Sequence, residues 1–360
     1  MPGTRGPLAP AVGVTARAPA KVNLVLKVGE RRPDGYHDLA TVFHAVGLDE
    51  QVTVADGPPG VRVTVEGEGA GRVPTGPDNL AVRAVVALAQ EVGVDLASRG
   101  VDVAIAKAVP VAAGLAGGSA DAAATLVALD ALWGTGLDRE RLRDVAAGLG
   151  SDVPFGLTGG TAVGTGRGEL LAPVLGRGAY SWVLAFAEGG LSTPRVYAEL
   201  DRMRGAAPRT GRRTAAHLRP VPVPVPDVSR PALHPVGRDE RTGAGRPGTG
   251  RMRTDAGAVG VPPAVLGALR TGDPVTLGAA LDNDLQAAAI ALLPALRGCL
   301  DVGMERGALG AVVSGSGPTC AFLTRDPEHS VDLAVALTAT GVCRAVVRVP
   351  GPVPGASLVG

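Results

Sequence analysis

Aromatic side chains are scarce, with two Trp, three Tyr and four Phe making up 2% of 360 residues. The core must therefore be aliphatic, and a ring that reads as exposed invites a function. Cysteine is almost as rare. Cys299, Cys320 and Cys343 are widely spaced in apolar surroundings and offer no CxxC or Cys/His pattern for zinc, so buried reduced thiols are expected. There is no charged-then-apolar N-terminal signal and no run near the roughly 20 apolar residues that span a bilayer, which points to a soluble, cytoplasmic protein. Apolar residues are plentiful at 46%, and the length suits about two domains with a large core.

The net charge of +1 averages unlike regions. Between Arg204 and Arg253 eleven Arg face only Asp227, Asp239 and Glu240, a local +8 that leaves −7 for the remainder. Pro208, Pro220, Pro222, Pro224, Pro226, Pro231, Pro235 and Pro247 fall in the same stretch, which has no sustained apolar period. Residues 204–260 thus read as a disordered insert, a solvated surface loop rather than a binding arm, with nucleic acid not expected as a partner. The N-terminal residues 1–15 and the C-terminal 351–360 read as tails.

The rest of the chain is organised around PVAAGLAGGSADAA, from Pro110 onward. An apolar strand, Val101 to Ala108, leads into a loop with Gly114, Gly117 and Gly118, and a helix is expected from Ser119 to Leu132. Glycines remove the Cβ between backbone amides and a ligand, and the first turn of a helix favours an anion, so the loop suits phosphate. It has neither the Lys-Ser/Thr ending of a P-loop nor the glycine spacing of a dinucleotide fold.

Upstream, Ala16 to Val28 alternates as a strand, which puts Lys21 and Asn23 on the same side. Pro33-Asp34-Gly35 marks a turn. Thr41 to Val46 and Gln51 to Val54 read as two strands joined at Gly47 to Glu50, and Val61 to Val65 as another. Asp78 is the expected cap of a helix through Val92, and Asp138 that of a helix to Leu149. Pro154 should stop helix and leave Asp152 at a constrained turn. After Leu171 come a strand at Ser181 to Phe186, a turn-then-helix at Ser192 to Leu200, and helical segments at Val275 to Leu281, Asp284 to Cys299 (broken at Pro294) and Asp301 to Arg306. Ala311 to Val313, the small-residue loop Ser314 to Gly317, Ala321 to Thr324, a helix at Val331 to Thr340 and a strand at Val342 to Val349 complete an expected antiparallel sheet with helices on one face.

Three segments in order, APAKVNL, PVAAGLAGGSADAA and VVSGSGPTCAF, resemble the motifs of the GHMP small-molecule kinases. AKVNLVLKVGERRPDGYHDLATVF and GSDVPFGLTGGTAVGTGRGE resemble the branch of that superfamily whose alcohol substrate carries a cytidine diphosphate. The resemblance implies an α+β chain of two domains, residues 16–172 like the second domain of ribosomal protein S5 and 173–350 ferredoxin-like, with ATP, Mg²⁺ and the cytidyl alcohol in the cleft between them. It also implies a monomer or homodimer.

Residue by residue, the resemblance implies that Asp152 accepts or orients the hydroxyl proton, with Lys21 as its partner. It places Asn79, Leu80, Lys107, Pro110, Gly114, Leu115, Ala116, Gly117, Gly118 and Ser119 around the nucleotide, with Ser119 able to reach Mg²⁺. Asn23, Tyr36, His37, Thr193 and Tyr197 fall to the cytidyl substrate, the rings of Tyr36 and Tyr197 stacking on its base and His37 bonding the base edge. Ala116 stands where Gly is frequent, so the backbone there must suit a Cβ. Two alternatives stay open: another small-alcohol kinase, such as a homoserine or mevalonate kinase, and a non-catalytic binding protein on the same fold.

Overall fold

The structure is a computed structural model and describes residues 13–206 and 259–360. Residues 1–12 of the expected N-terminal tail and most of the basic insert lie outside the described residues, whereas Val14 and Thr15, also expected in that tail, already pair with β2 as the start of β1. In chain order the first domain comprises β1 (Val14–Arg31), β2 (His37–Gly57), β3 (Val61–Gly67), α1 (Leu80–Val92), β4 (Gly100–Lys107), α2 (Gly117–Trp133), α3 (Arg139–Leu149), α4 (Val153–Thr158), β5 (Thr161–Gly166) and β6 (Leu170–Pro173). The second comprises β7 (Tyr180–Phe186), α5 (Thr193–Ala206), α6 (Pro263–Thr271), α7 (Pro274–Ala279), β8 (Asp282–Asn283), α8 (Gln286–Leu292), α9 (Ala295–Glu305), β9 (Gly310–Val313), β10 (Thr319–Thr324), α10 (Pro327–Thr340) and β11 (Ala345–Gly351), and a short β12 (Ser357–Leu358) ends the chain.

The first sheet runs β12-β1-β2-β4-β3, with β5 also on β2 and β8 on β1. β2 is one strand and not the expected two. Pro19 of β1 pairs with Asp49 and Ala20 with Val46, so Gly47 and Leu48 form a bulge opposite β1 while the backbone stays extended. The bulge lets one strand serve two partners, its Leu39–His44 half pairing with β5 and its Gln51–Gly57 half with β4. α2 lies on this sheet with Ala120, Ala122, Ala123, Ala124 and Ala128 all buried, because an alanine-rich helix is the kind that can approach strands and a neighbour closely.

The second sheet is antiparallel in the order β11-β7-β10-β9, the ferredoxin-like arrangement. Its faces follow the strand period: Val183 and Ala185 pack with α5, α8, α9 and α10, while Trp182 and Leu184 pack with Val22 and Leu24 of β1 and with α6 and α7. The two domains therefore share a core.

Several expectations change. Asn79, not Asp78, caps α1, its Oδ1 accepting from the Ala81 amide at 2.7 Å. Pro154 does not stop a helix but lies in the first turn of α4, where proline is tolerated, and Asp152 is the residue just before that helix. The segment expected at Asp301 to Arg306 is the end of α9, and α6 was not expected at all. Residues 351–360 are no tail: β12 pairs with β1, the Ala356 amide donates to Gly156 at 2.8 Å, and Ala356 is buried in the first core. Arg204, placed at the edge of the insert, belongs to α5 and donates to the Val28 and Gly29 carbonyls at 2.8 and 2.9 Å.

Candidate active site

A cavity of about 940 Å³ opens between the domains and runs under the N-terminus of α2. β1 and β2 bring Lys21, Asn23 and Thr41 to its floor in a relay. Lys21 Nζ donates to Asn23 Oδ1 at 2.7 Å and to the Gly114 carbonyl at 3.1 Å, Asn23 Nδ2 donates to Thr41 Oγ1 at 2.8 Å, and Thr41 Oγ1 donates to the Val25 carbonyl at 2.7 Å. Asp152 Oδ2 faces the same ammonium at 3.8 Å, beyond a direct hydrogen bond. Lys21 is 6% exposed; burial lowers its pKa, and Asp152 pulls it back up.

The loop entering α2 is held from both sides. Ala116 occupies the left-handed region at φ 60°, so the Cβ that a glycine would lack is accommodated at some conformational cost. Gly114, at φ 77°, meets the small-residue loop of the second domain: a Cβ there would lie 2.2 Å from the Ser314 carbonyl oxygen, and Ser314 Oγ donates to the Gly114 carbonyl at 3.1 Å. Asn283 fixes the opposing loop, Nδ2 donating to the Val313 and Gly315 carbonyls at 2.7 Å each. Gly118 and Ser119 line the cavity at the first turn of α2.

The cavity has two unlike ends. At one, Tyr36 is 55% exposed, and the His37 ring stacks tilted on Tyr197 with centroids 5.0 Å apart. His37 Nε2 lies 2.9 Å from Asp201 Oδ1, and Thr193 Oγ1 lies 2.9 Å from Ser316 Oγ. At the other end are Pro74, Asn79, Leu80 and Lys107. Beneath it Lys107 Nζ is held by Glu50 Oε1 at 2.5 Å and Asp121 Oδ2 at 2.7 Å, all three side chains being buried. Burial, reinforced by the Asp121 carboxylate, pushes the Glu50 carboxyl up to about 7 against the pull of Lys107.

The description "GHMP kinases N terminal domain" matches residues 79–162 and "GHMP kinases C terminal" matches 265–343. A 4-diphosphocytidyl-2-C-methyl-D-erythritol kinase of Nocardia farcinica is 47% identical over 348 residues, 96% of each chain. The chain belongs to the family of 4-diphosphocytidyl-2-C-methyl-D-erythritol kinases. The enzyme of that name from Mycobacterium tuberculosis strain H37Rv is 46% identical over 97% of this chain and 94% of that protein. A crystal structure of 4-(cytidine 5'-diphospho)-2C-methyl-D-erythritol kinase superposes with a TM-score of 0.65 at 29% identity, covering 94% of this chain and 99% of that one. Homoserine kinase from Cytophaga hutchinsonii, with a TM-score of 0.63 at 14% identity over 99% of this chain and 100% of that one, shares the fold.

Against this family background, the residues singled out in sequence gather in the one cavity, with one exception. Leu115 is fully buried in the core between the domains, and only its carbonyl takes part, accepting from the Lys21 amide at 3.1 Å. Asn79 lines the cavity, but its side chain is already engaged in capping α1 and donating to the Pro74 carbonyl at 2.7 Å. Lys107, too, is occupied by its two carboxylates. Tyr197 faces His37 where a partner for Tyr36 across the base was expected. Asp201, Asn283, Glu50, Asp121, Arg31 and Arg167 were not foreseen. Asn283 had a signal only in its partner, the Ser-Gly-Ser-Gly loop that it fixes. Among the described residues no helix is long and apolar enough to cross a membrane.

Proposed function

We propose that the chain transfers the γ-phosphoryl group of ATP to the 2-hydroxyl of 4-diphosphocytidyl-2-C-methyl-D-erythritol, giving the 2-phosphate and ADP in the non-mevalonate isoprenoid pathway. The observation that carries this reading is the single cavity that joins the Lys21–Asp152 pair, the glycine loop and the end bearing Tyr36, His37 and Tyr197. The 3.8 Å separation leaves Lys21 and Asp152 able to hold an alcohol oxygen between them, the carboxylate taking its proton and the ammonium countering charge on the transferring group. Asn23 and the Gly114 carbonyl fix the ammonium, so it needs no reorganisation as charge develops.

The carboxylate of Asp201 can only accept, so Nε2 of His37 carries the hydrogen between them, and Nδ1 is the ring nitrogen left for the edge of a cytosine. Tyr36 supplies an open stacking face. The purine of ATP lies toward Asn79 and Leu80, with its phosphates against Gly114 to Ser119.

Mg²⁺ fits the oxygen donors present. Among the described residues no group of three or more His, Cys, Asp or Glu could cage a metal, and Mg²⁺ characteristically arrives on substrate phosphates with few protein ligands, here Ser119 and Asp152. When bound it neutralises the β- and γ-phosphate oxygens. The enzyme works in the cytoplasm as a monomer or homodimer. A coupled ADP-release assay tests the reading: turnover is expected with the cytidyl alcohol and not with homoserine or mevalonate. Equal or better turnover of either of those two would overturn it.

A further inference from the structure

Two guanidinium groups line the ring-bearing part of the cavity, and the reading above gives them no task. Arg167 lies on the turn between β5 and β6, and its guanidinium carbon stands 5.2 Å from the centroid of the Tyr36 ring. The turn also reaches the reacting end: a Cβ on the adjacent Gly168 would meet Phe43 Cζ at 3.3 Å and Ser151 Cβ at 3.9 Å. Phe43 lies under the Lys21 ammonium, and Ser151 precedes Asp152. Arg167 therefore stands between the ring that would carry a base and the pair that would hold a hydroxyl. Arg31, exposed at the end of β1, lines the same part and reaches the Gly35 carbonyl at 3.4 Å, beside Tyr36.

Charge balance gives these arginines a purpose. Of the cations lining the cavity, Lys21 is held by Asp152, Asn23 and Gly114, and Lys107 by Glu50 and Asp121. Arg167 has Glu169 at 3.8 Å and, beyond 4 Å, the charge of Asp34, and among the described residues Arg31 has no carboxylate within 4 Å. The ATP phosphates are served by the glycine loop at α2, whereas a second anion between Tyr36 and Asp152 has no such loop. A guanidinium presents a planar fork that matches two phosphate oxygens, and partial exposure leaves it free to turn toward them.

We propose that Arg31 and Arg167 form a clamp for the diphosphate bridge of the cytidyl substrate, spanning the gap between the base on Tyr36 and the hydroxyl at Lys21 and Asp152. This rests on the cytidyl reading of the cavity. The clamp makes the nucleoside diphosphate, and not the base alone, the unit that is recognised.

The test is calorimetric titration of CDP and of cytidine into the full chain with the ATP site filled by a non-hydrolysable ATP analogue. It uses the wild type, Arg31→Met, Arg167→Met, the double variant and Arg167→Lys. For each arginine removed, CDP is expected to weaken about tenfold or more, the usual worth of a charge-assisted hydrogen bond, while cytidine changes less than about twofold. Arg167→Lys, which keeps the charge without the fork, should fall between. KM for the cytidyl alcohol should rise with the CDP loss while KM for ATP stays.

Unchanged CDP binding in the double variant would overturn the clamp. So would an equal loss of CDP and cytidine, which would make the arginines braces of the Tyr36 ring. A wild type that binds neither CDP nor cytidine and does not turn over the cytidyl alcohol is a different result, removing the substrate reading and the clamp with it.

Discussion

Glu50 Oε1 lies where a side chain on Gly117 would go, 2.8 Å from a Cβ built there, with Val109 Cβ at 3.0 Å on the other side. Gly117 therefore turns its Cβ direction into the core under the loop and not into the cavity. Gly118 differs, since a Cβ there would meet only Leu80 Cδ1, at 3.8 Å. Gly117→Val should overpack a buried ionic cluster and lower stability by about 1–3 kcal/mol. Gly118→Val should keep the fold and weaken ATP by crowding the first turn of α2. Thermal melts paired with ATP calorimetry check both, and a Gly118→Val protein with unchanged ATP affinity would take that turn out of the nucleotide site.

Glu50 also shows what the sequence hides. It follows Asp49 at what reads as a loop between two strands, and nothing local marks it as buried, because Lys107 and Asp121 reach it from distant parts of the chain. The reverse holds for Lys21 and Asn23, whose shared face follows from the period of two, and for the α2 loop, whose glycines carry their own message. Asp78 and Asn79 are adjacent and both good caps, so only the backbone geometry chooses between them. The last ten residues look like a frayed end because their order comes from pairing with β1, at the other end of the chain.

Asp152→Asn keeps the shape of the side chain and removes the charge facing Lys21. A fall in kcat of at least about 10²-fold is expected, with ATP affinity near wild type. Lys21→Ala should lower kcat comparably, and the double variant should be little worse than either single, since both act on one hydroxyl. Steady-state kinetics on the cytidyl alcohol decides it; an Asp152→Asn enzyme above half of wild-type kcat would reject the assignment.

Ala116 holds a left-handed backbone that costs an L-residue about 1–2 kcal/mol. Ala116→Gly relieves that cost but gives the unfolded chain more freedom, worth about 0.4–1 kcal/mol in the other direction. The net change should be a stabilisation of between zero and about 1.6 kcal/mol with KM for ATP unchanged. Denaturant titration beside kinetics measures both, and a destabilised glycine variant would mean that the Ala116 methyl makes a packing contribution larger than the strain.

The buried cluster of Glu50, Lys107 and Asp121 should make stability depend on pH in a direction opposite to that of a carboxylate held ionised by a partner. Desolvation pushes the Glu50 carboxyl up to about 7, from an ordinary value of 4.5. Between those values the unfolded chain has released the proton and the folded chain keeps it, so stability falls as pH rises through this window and levels off above it. The size is on the order of a few kcal/mol, because each tenfold change in proton affinity is worth about 1.4 kcal/mol. Glu50→Gln, which cannot ionise, should lose less stability than wild type between pH 5 and pH 8. Its side-chain amide oxygen can still accept from the Ala108 backbone N–H, as Glu50 Oε2 does at 2.9 Å, and Asp121 remains to balance Lys107. Denaturant melts at the two pH values give the comparison, and a variant whose stability falls as far as that of the wild type would show that Glu50 does not hold the proton.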